Sequence, residues 1–324
     1  METTDKYSCQ MLVQLLVAHG VKHVVMSPGS RNLPLMVAVS RSDELKSTVV
    51  VDERIAAFMA LGMASASCAP VALVCTSGTA LLNYAPAVAE AYYKHVPLIV
   101  VSADRPYQWI DQDDSQTIRQ NGVLANIVKR SCDIPDVAST KVDRWYAGRV
   151  INDVLIEMMR GCPGPVHINV QLAEPLNVMT DSVQQAKVVR NLVPVNELPS
   201  DRAVELAHYV ASVPKVMIVA GFLSLECAGA INRNLAELNR QDNVIVLTES
   251  ISNLKIERAI ECIDIAVSGI PCGEESDYAP ELLITVGGAL VSRFVKQFLR
   301  NYPPKAHWHV GQTDSLIDCM QAMT

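Results

Sequence analysis

Four short stretches of this 324-residue sequence combine side chains that could move a proton or grip an anion. The first is Asp52-Glu53, an acidic pair between the β-branched run Thr48–Val51 and the apolar run Ile55–Ala66. Asp52 is placed to cap a helix, and Glu53 would sit in its first turn, where the helix dipole favours an anion. The apolar sequence on either side is expected to strip part of the water from Glu53, which suits it to proton transfer and makes it the foremost catalytic candidate. The second is Ser27-Pro28-Gly29-Ser30-Arg31-Asn32, which reads either as a turn with an N-cap serine and an exposed arginine or as an anion site built from Ser30 and Arg31. The third, Thr76–Asn83 (TSGTALLN), puts Gly78 at a turn where the backbone must come close to something. The fourth, Asp104-Arg105, ends the most apolar run and reads as a local ion pair or as a cation offered to a ligand. The polar segment 111–120 (DQDDSQTIRQ) is expected to be a loop entering a helix, with Gln116 and Gln120 facing solvent.

Each of the four stretches follows a candidate strand. Runs at 21–26, 47–52, 71–76, 97–103 and 165–171 are β-rich, and helix-forming stretches such as ERIAAFMALGMASAS and TALLNYAPAVAEAYYKH separate them. Strands apolar on both faces and separated by helices predict a parallel sheet covered on both sides. In such sheets ligands gather outside the carboxyl ends of the strands, so all four stretches fall at one edge. Polar, proline-containing residues 172–197 interrupt the rhythm, and a second α/β pattern follows with strands at 215–221, 243–249, 281–287 and 305–311. The fold class is therefore α/β, with two doubly wound, mainly parallel-sheet domains. The boundaries expected are a first domain over 1–178, a linker over 179–197 and a central domain over 198–324.

Composition excludes several functions. Net charge is −7 without a basic cluster, which argues against nucleic acid. No apolar run approaches the roughly 20 residues that cross a bilayer, and the N-terminus has no signal-peptide core. Nine scattered cysteines without a CxxC pair fit reduced thiols, so the chain reads as soluble and cytoplasmic. His307 and His309 would share a strand face but lack a third ligand, so no metal site is expected. The stretch VGGAL at 286–290 lacks the GxGxxG pattern, and neither GxSxG nor GxxxxGK[ST] occurs.

In order and spacing, SPGSR, DERIAAFMALGMA, ALVCTSGTALLN, VPLIVVSADRP and SQTIRQ resemble the N-terminal half of thiamine diphosphate-dependent enzymes. Within these they are similar to the MenD family, the 2-succinyl-5-enolpyruvyl-6-hydroxy-3-cyclohexene-1-carboxylate synthases of menaquinone biosynthesis. The resemblance implies a pyrimidine-binding domain followed by a central Rossmann-like domain. It implies that Glu53 bonds N1′ of the cofactor's aminopyrimidine, that Gln116 lies beside the cofactor, and that Thr76, Gly78 and Asn83 help to line its site. It also implies that Ser30, Arg31 and Arg105 hold isochorismate, with Arg293 near the substrate, while a 2-oxoglutarate-derived succinyl group is added.

One departure from that pattern stands out. The family carries a GDG followed about 25–30 residues later by NN for the diphosphate and its Mg²⁺ or Mn²⁺, whose octahedral shell needs carboxylate and amide oxygens. No GDG occurs here. The chain is accordingly expected to be a fragment without the diphosphate-binding domain, silent in catalysis by itself, and derived from a self-associating parent. Two other readings stay open on the residues: a different thiamine diphosphate lyase of the acetolactate synthase type, and a non-catalytic two-domain binding protein in which Glu53 is only a helix-start charge.

Overall fold

The computed structural model describes residues 2–136, 140–192, 197–312 and 315–324. The chain divides into two compact units, Met1–Val193 and Pro194–Thr324.

In the first unit, strands β1 (Thr3–Thr4) and β8 (Met179–Thr180) pair antiparallel as a small clip. The main sheet is built from β2 (His23–Met26), β3 (Lys46–Val49), β4 (Val71–Cys75), β5 (Leu98–Asp104), β6 (Arg130–Ile134) and β7 (Val166–Gln171). Its order is β3-β2-β4-β5-β7-β6, and every pairing is parallel. Strands β4, β5 and β7 are buried along their whole length, as a sheet covered on both faces requires. One face packs on α1 (Tyr7–Ala18), α2 (Leu33–Ser40) and α6 (Lys141–Met159); the other packs on α3 (Glu53–Ser67), α4 (Thr79–Asn83) and α5 (Ala85–Tyr93). From β2 the chain adds β3 on one side and β4 on the other. The sheet therefore reverses direction between β2 and β4, the place where open parallel sheets bind ligands.

Several expectations are corrected here. The run 47–52 is not a buried strand: β3 ends at Val49 and forms the exposed edge, with Val49 and Val51 facing outward. Nor is α3 buried all round. Ala56, Ala57, Ala60 and Ala64 pack inward, their small side chains letting the helix close on the sheet, while Ile55, Phe58 and Met59 face out. The run 79–95 breaks at Tyr84 into α4 and α5, with Pro86 in the first turn of α5, where its missing N–H costs nothing. Strand β6, Arg-Ser-Cys-Asp-Ile, escaped the sequence reading because an edge strand can carry polar residues on its half-exposed face.

The second unit repeats the plan at smaller scale with β9 (Val216–Ala220), β10 (Val244–Thr248), β11 (Leu282–Val286) and β12 (Ala306–Val310), in the parallel order β10-β9-β11-β12. Helices α7 (Ser200–Ser212), α8 (Leu225–Leu238), α9 (Ile263–Ser268), α10 (Glu275–Tyr278) and α11 (Arg293–Asn301) complete it. Apolar clusters lie on both faces of its sheet.

Residues 182–189 lie along the first unit as an extended strap, held by side-chain amides that read only its backbone. Gln10 Nε2 donates to Ser182 O at 3.2 Å, and its Oε1 accepts from the Gln184 N–H at 3.3 Å. Gln14, one turn further along α1, donates to Gln184 O at 2.9 Å and accepts from the Ala186 N–H at 2.9 Å. Asn152 on α6 does the same for Lys187 O and the Val189 N–H, at 2.9 and 2.8 Å.

Candidate functional site

At the switch point, the loop after β2 meets the loop after β4. A Cβ on Gly29 would come within 2.4 Å of the Thr76 Cβ, so only glycine lets the two loops close on each other. Buried Tyr84 fastens the same corner, its hydroxyl donating to Val74 O at 2.9 Å and lying 3.2 Å from Ser27 Oγ. The Thr76 Oγ1 is buried and has no hydrogen-bond partner among the described residues. A hydroxyl left so at a sheet switch point has capacity reserved for a polar ligand atom.

Glu53 opens α3 beside this corner, half-buried behind the Asp52 cap. Asp52 accepts from the Arg54 and Ile55 N–H groups at 2.9 and 3.1 Å, as an N-cap should. Burial, and after it the Glu53 charge, pushes the Cys75 thiol above its ordinary range, and Tyr84 also feels Glu53. The Glu53 carboxylate therefore stands within electrostatic reach of the end of β4. The enclosing apolar wall expected behind it is absent in this chain, since Ile55, Phe58 and Met59 point outward.

Gly78 takes φ 85° and ψ −145°, a conformation open to glycine. Above it lies Gln116, whose Cγ and backbone O would each be 3.0 Å from a Cβ at Gly78. Gln116 is itself exposed and left-handed at φ 57°. Gln120, expected to face solvent, turns inward. It is only 1 % exposed and its Oε1 accepts the Gly78 N–H at 2.6 Å. Its apolar neighbours Ile118 and Val123 gave the sequence reading no periodic cue to this burial. Asn83 is exposed on α4 and donates to Thr79 O at 3.1 Å.

The cations gather at the same edge. Arg31 is 6 % exposed, donates to Leu172 O at 2.9 Å and pairs with Glu174 at 3.1 Å. Burial and then the charge of Arg105 lower its pKa from the ordinary arginine value, with Glu174 and Asp114 opposing. The Arg105 charge is thus felt at Arg31, an arrangement of two cations that costs energy unless anions sit between them. Arg105 does not pair with Asp104. It binds Asp114 at 3.0 Å and donates to Ser115 O at 2.9 Å, while the Asp104 carboxylate turns inward. Ser30 is exposed in the loop and does not cap α2, whose N-cap is Asn32.

Arg293 belongs to the second unit, exposed at the first position of α11. The switch point of that unit, between β9 and β11, is stitched shut by backbone: Phe222 N–H donates to Ala289 O at 3.1 Å and Gly288 N–H to Phe222 O at 2.7 Å. Glu249 occupies the start of α11, accepting the Val291 and Ser292 N–H groups at 2.8 and 2.6 Å. VGGAL therefore serves close packing. His307 and His309 flank Thr285 Oγ1 at 2.9 and 3.0 Å. Among the described residues no group of three or more His, Cys, Asp or Glu side chains could hold a metal ion, and no helix is long and apolar enough to cross a membrane.

Residues 8–123 match the family described as thiamine pyrophosphate enzyme, N-terminal TPP binding domain. The chain is 40 % identical over 322 residues to a 2-succinyl-5-enolpyruvyl-6-hydroxy-3-cyclohexene-1-carboxylate synthase of Porphyromonas gingivalis, covering 99 % of this chain and 55 % of that protein. Against the protein of the same name from Bacteroides thetaiotaomicron it is 38 % identical over 323 residues, 99 % of this chain and 57 % of the relative. The chain thus spans a little over half the length of these relatives. Benzoylformate decarboxylase from Polynucleobacter necessarius shares the fold, with a TM-score of 0.64 at 17 % identity over 87 % of this chain and 51 % of that one. On these similarities the chain is MenD-like over the part of those relatives that it covers, and its residues 8–123 match the thiamine pyrophosphate enzyme N-terminal domain.

Proposed function

We propose that this chain supplies the pyrimidine-binding half of a thiamine diphosphate-dependent synthase that joins a succinyl group, from decarboxylated 2-oxoglutarate, to isochorismate. The observation that carries the reading is the Arg31–Arg105 pair. Two guanidinium groups, the charge of Arg105 being felt at Arg31, stand at the switch-point edge that also holds Glu53, Thr76 and Gly78. A dicarboxylate such as isochorismate answers two cations with two anions, which a monocarboxylate cannot do.

The residues present fit the pyrimidine half of the cofactor. Glu53 would hold a proton at the ring nitrogen N1′, the partnerless Thr76 hydroxyl would meet a polar ring atom, and Gln116 would lie over the bound group. When bound, thiamine diphosphate supplies a nucleophilic carbon for 2-oxo acids. Arg31 and Arg105 would exchange their internal partners, Glu174 and Asp114, for substrate carboxylates. The diphosphate and a Mg²⁺ or Mn²⁺ ion would be held by residues outside these 324, and the parent would work as a cytoplasmic homo-oligomer.

The test is the complete parent protein supplied with thiamine diphosphate, Mg²⁺, isochorismate and 2-oxoglutarate. Expected is formation of the joined product, lowered by about 10²–10⁴-fold in Glu53→Gln, the usual worth of a positioned proton-transfer group. Turnover of 2-oxoglutarate with other acceptors only would assign a different lyase. An inert parent would leave a binding protein, and full activity in Glu53→Gln would take Glu53 out of the proton transfer.

A further inference from the structure

Behind the Gly78 turn lies a chain of polar side chains from β5, β7 and β6, joined by Gln120 from the loop between β5 and β6. Asn169 Nδ2 donates to two carboxylates at once, Asp104 Oδ2 at 2.9 Å and Asp133 Oδ1 at 2.7 Å. Both of its N–H bonds are thereby committed, and its Oδ1 must turn the other way. There it accepts from Ser102 Oγ at 2.7 Å and from Gln120 Nε2 at 2.9 Å. Gln120 Nε2 gives its second N–H to Ala103 O at 3.1 Å. With both donors spent, Gln120 can present only its oxygen to the Gly78 N–H. A flip of either amide would set donor against donor or oxygen against carboxylate. The two carboxylates therefore fix the orientation of one amide, that amide fixes the next, and the last fixes a peptide of the turn.

We propose that Gln120 is a positioning residue for the Gly78 turn, oriented through Asn169 by the Asp104 and Asp133 carboxylates, so that the protonation of Asp104 is felt at Gly78. The inference rests on the reading of Gly78 as part of the cofactor site. In its ionised form Asp104 accepts from Asn169 and from the Arg105 N–H at 2.8 Å. Protonated, it gains an O–H that competes with the Asn169 N–H for the same lone pairs, and Asn169 loses one of the two constraints on its orientation. Burial pushes this carboxyl up to about 6; Asp133 on β6 adds to the rise, while Arg31 from the loop after β2 and the two N–H donors oppose it. His167, whose Nε2 lies 2.7 Å from Ser102 Oγ in this network, is held neutral by burial.

The test uses the 324-residue chain with ¹⁵N-glycine and ¹³C′-serine. Of the 15 glycines only Gly78 and Gly269 follow a serine, so the doubly labelled pair isolates two amide signals. The Gly78 signal is expected to move with pH along the titration of Asp104, and to stop moving in Asp104→Asn. In Gln120→Leu the same movement vanishes and Gly78 N–H exchange quickens by about fivefold or more, the worth of one buried hydrogen bond. A Gly78 signal indifferent to pH in the unaltered chain, or one that still titrates in Asp104→Asn, would overturn the proposal. Glu53→Gln, which probes the reaction, should leave the Gly78 titration intact, so failure of one reading is separable from failure of the other.

Discussion

His167 and Asp104 sit in one network and respond to pH in opposite senses. Burial holds the imidazole neutral, with its pKa lowered from 6.5 to about 4. Because Ser102 Oγ gives its proton to Asn169, the His167 Nε2, 2.7 Å from that oxygen, carries the hydrogen, and Nδ1 is left bare, without a partner among the described residues. An unfolded histidine takes up a proton that the folded one refuses. Its contribution is therefore complete above 6.5 and is lost as pH falls toward 4, at up to about 1.4 kcal/mol per pH unit. Asp104, raised from 3.8 to about 6, does the reverse: its burial is tolerated below 3.8 and costs stability as pH rises through 6. Over the shared window the two slopes nearly cancel. Removing one partner should expose the other: relative to the unaltered chain, urea stability of the first unit should fall toward acid in Asp104→Asn and toward neutral pH in His167→Gln. Equal pH profiles for all three proteins would refute this.

Among the elements, the switch-point loops depend on the absence of a single methyl group. Gly29→Ala drives a Cβ into Thr76, and a cost of about 1–3 kcal/mol is expected, the range for overpacking. Thr76→Gly in the same chain should return most of it, since the clash lies with the Thr76 side chain; thermal unfolding of the two single variants and the double variant measures this. On α3 the alanine face sets a similar limit. Ala60→Leu should destabilise the first unit by about as much, because Ala60 is fully buried against the sheet. The parallel strands and the turns at their carboxyl ends were legible in the sequence, as runs of β-branched residues closed by glycine, proline and charge. The orientation of particular side chains was not. Thr48–Val51 has strand composition whether the strand is central or at the edge, and only the order β3-β2-β4 reveals which. Gln116 and Gln120 look alike in sequence, one helical turn apart. Which of them turns inward depends on Asn169, 49 residues from Gln120 along the chain.

For the whole molecule, the outward face of α3 and the exposed edge strand β3 leave Ile55, Phe58, Met59, Val49 and Val51 in contact with solvent. Apolar side chains left exposed in this way favour association. The chain is expected to self-associate through it, with the double variant Ile55→Glu/Phe58→Glu sedimenting as a smaller species than the unaltered chain; identical sedimentation would assign the contact elsewhere. The family was readable because five short motifs fall in order over less than a third of the sequence, whereas nothing local announced the strap at 182–189. Its own side chains make none of the amide contacts that hold it; Gln10, Gln14 and Asn152 grasp only N–H and C=O groups. Natural variation should therefore run through most of its side chains, with Ala186, which packs against the apolar core, held to small size and with one exception set by the backbone. Proline lacks the hydrogen that three of its positions must offer, so substitution by proline should be damaging at Gln184, Ala186 and Val189 and tolerated better at Val183, Gln185 and Val188. Recognition through the backbone leaves a grammar without a vocabulary: the strap is free to drift in composition for as long as its peptide hydrogens keep their places.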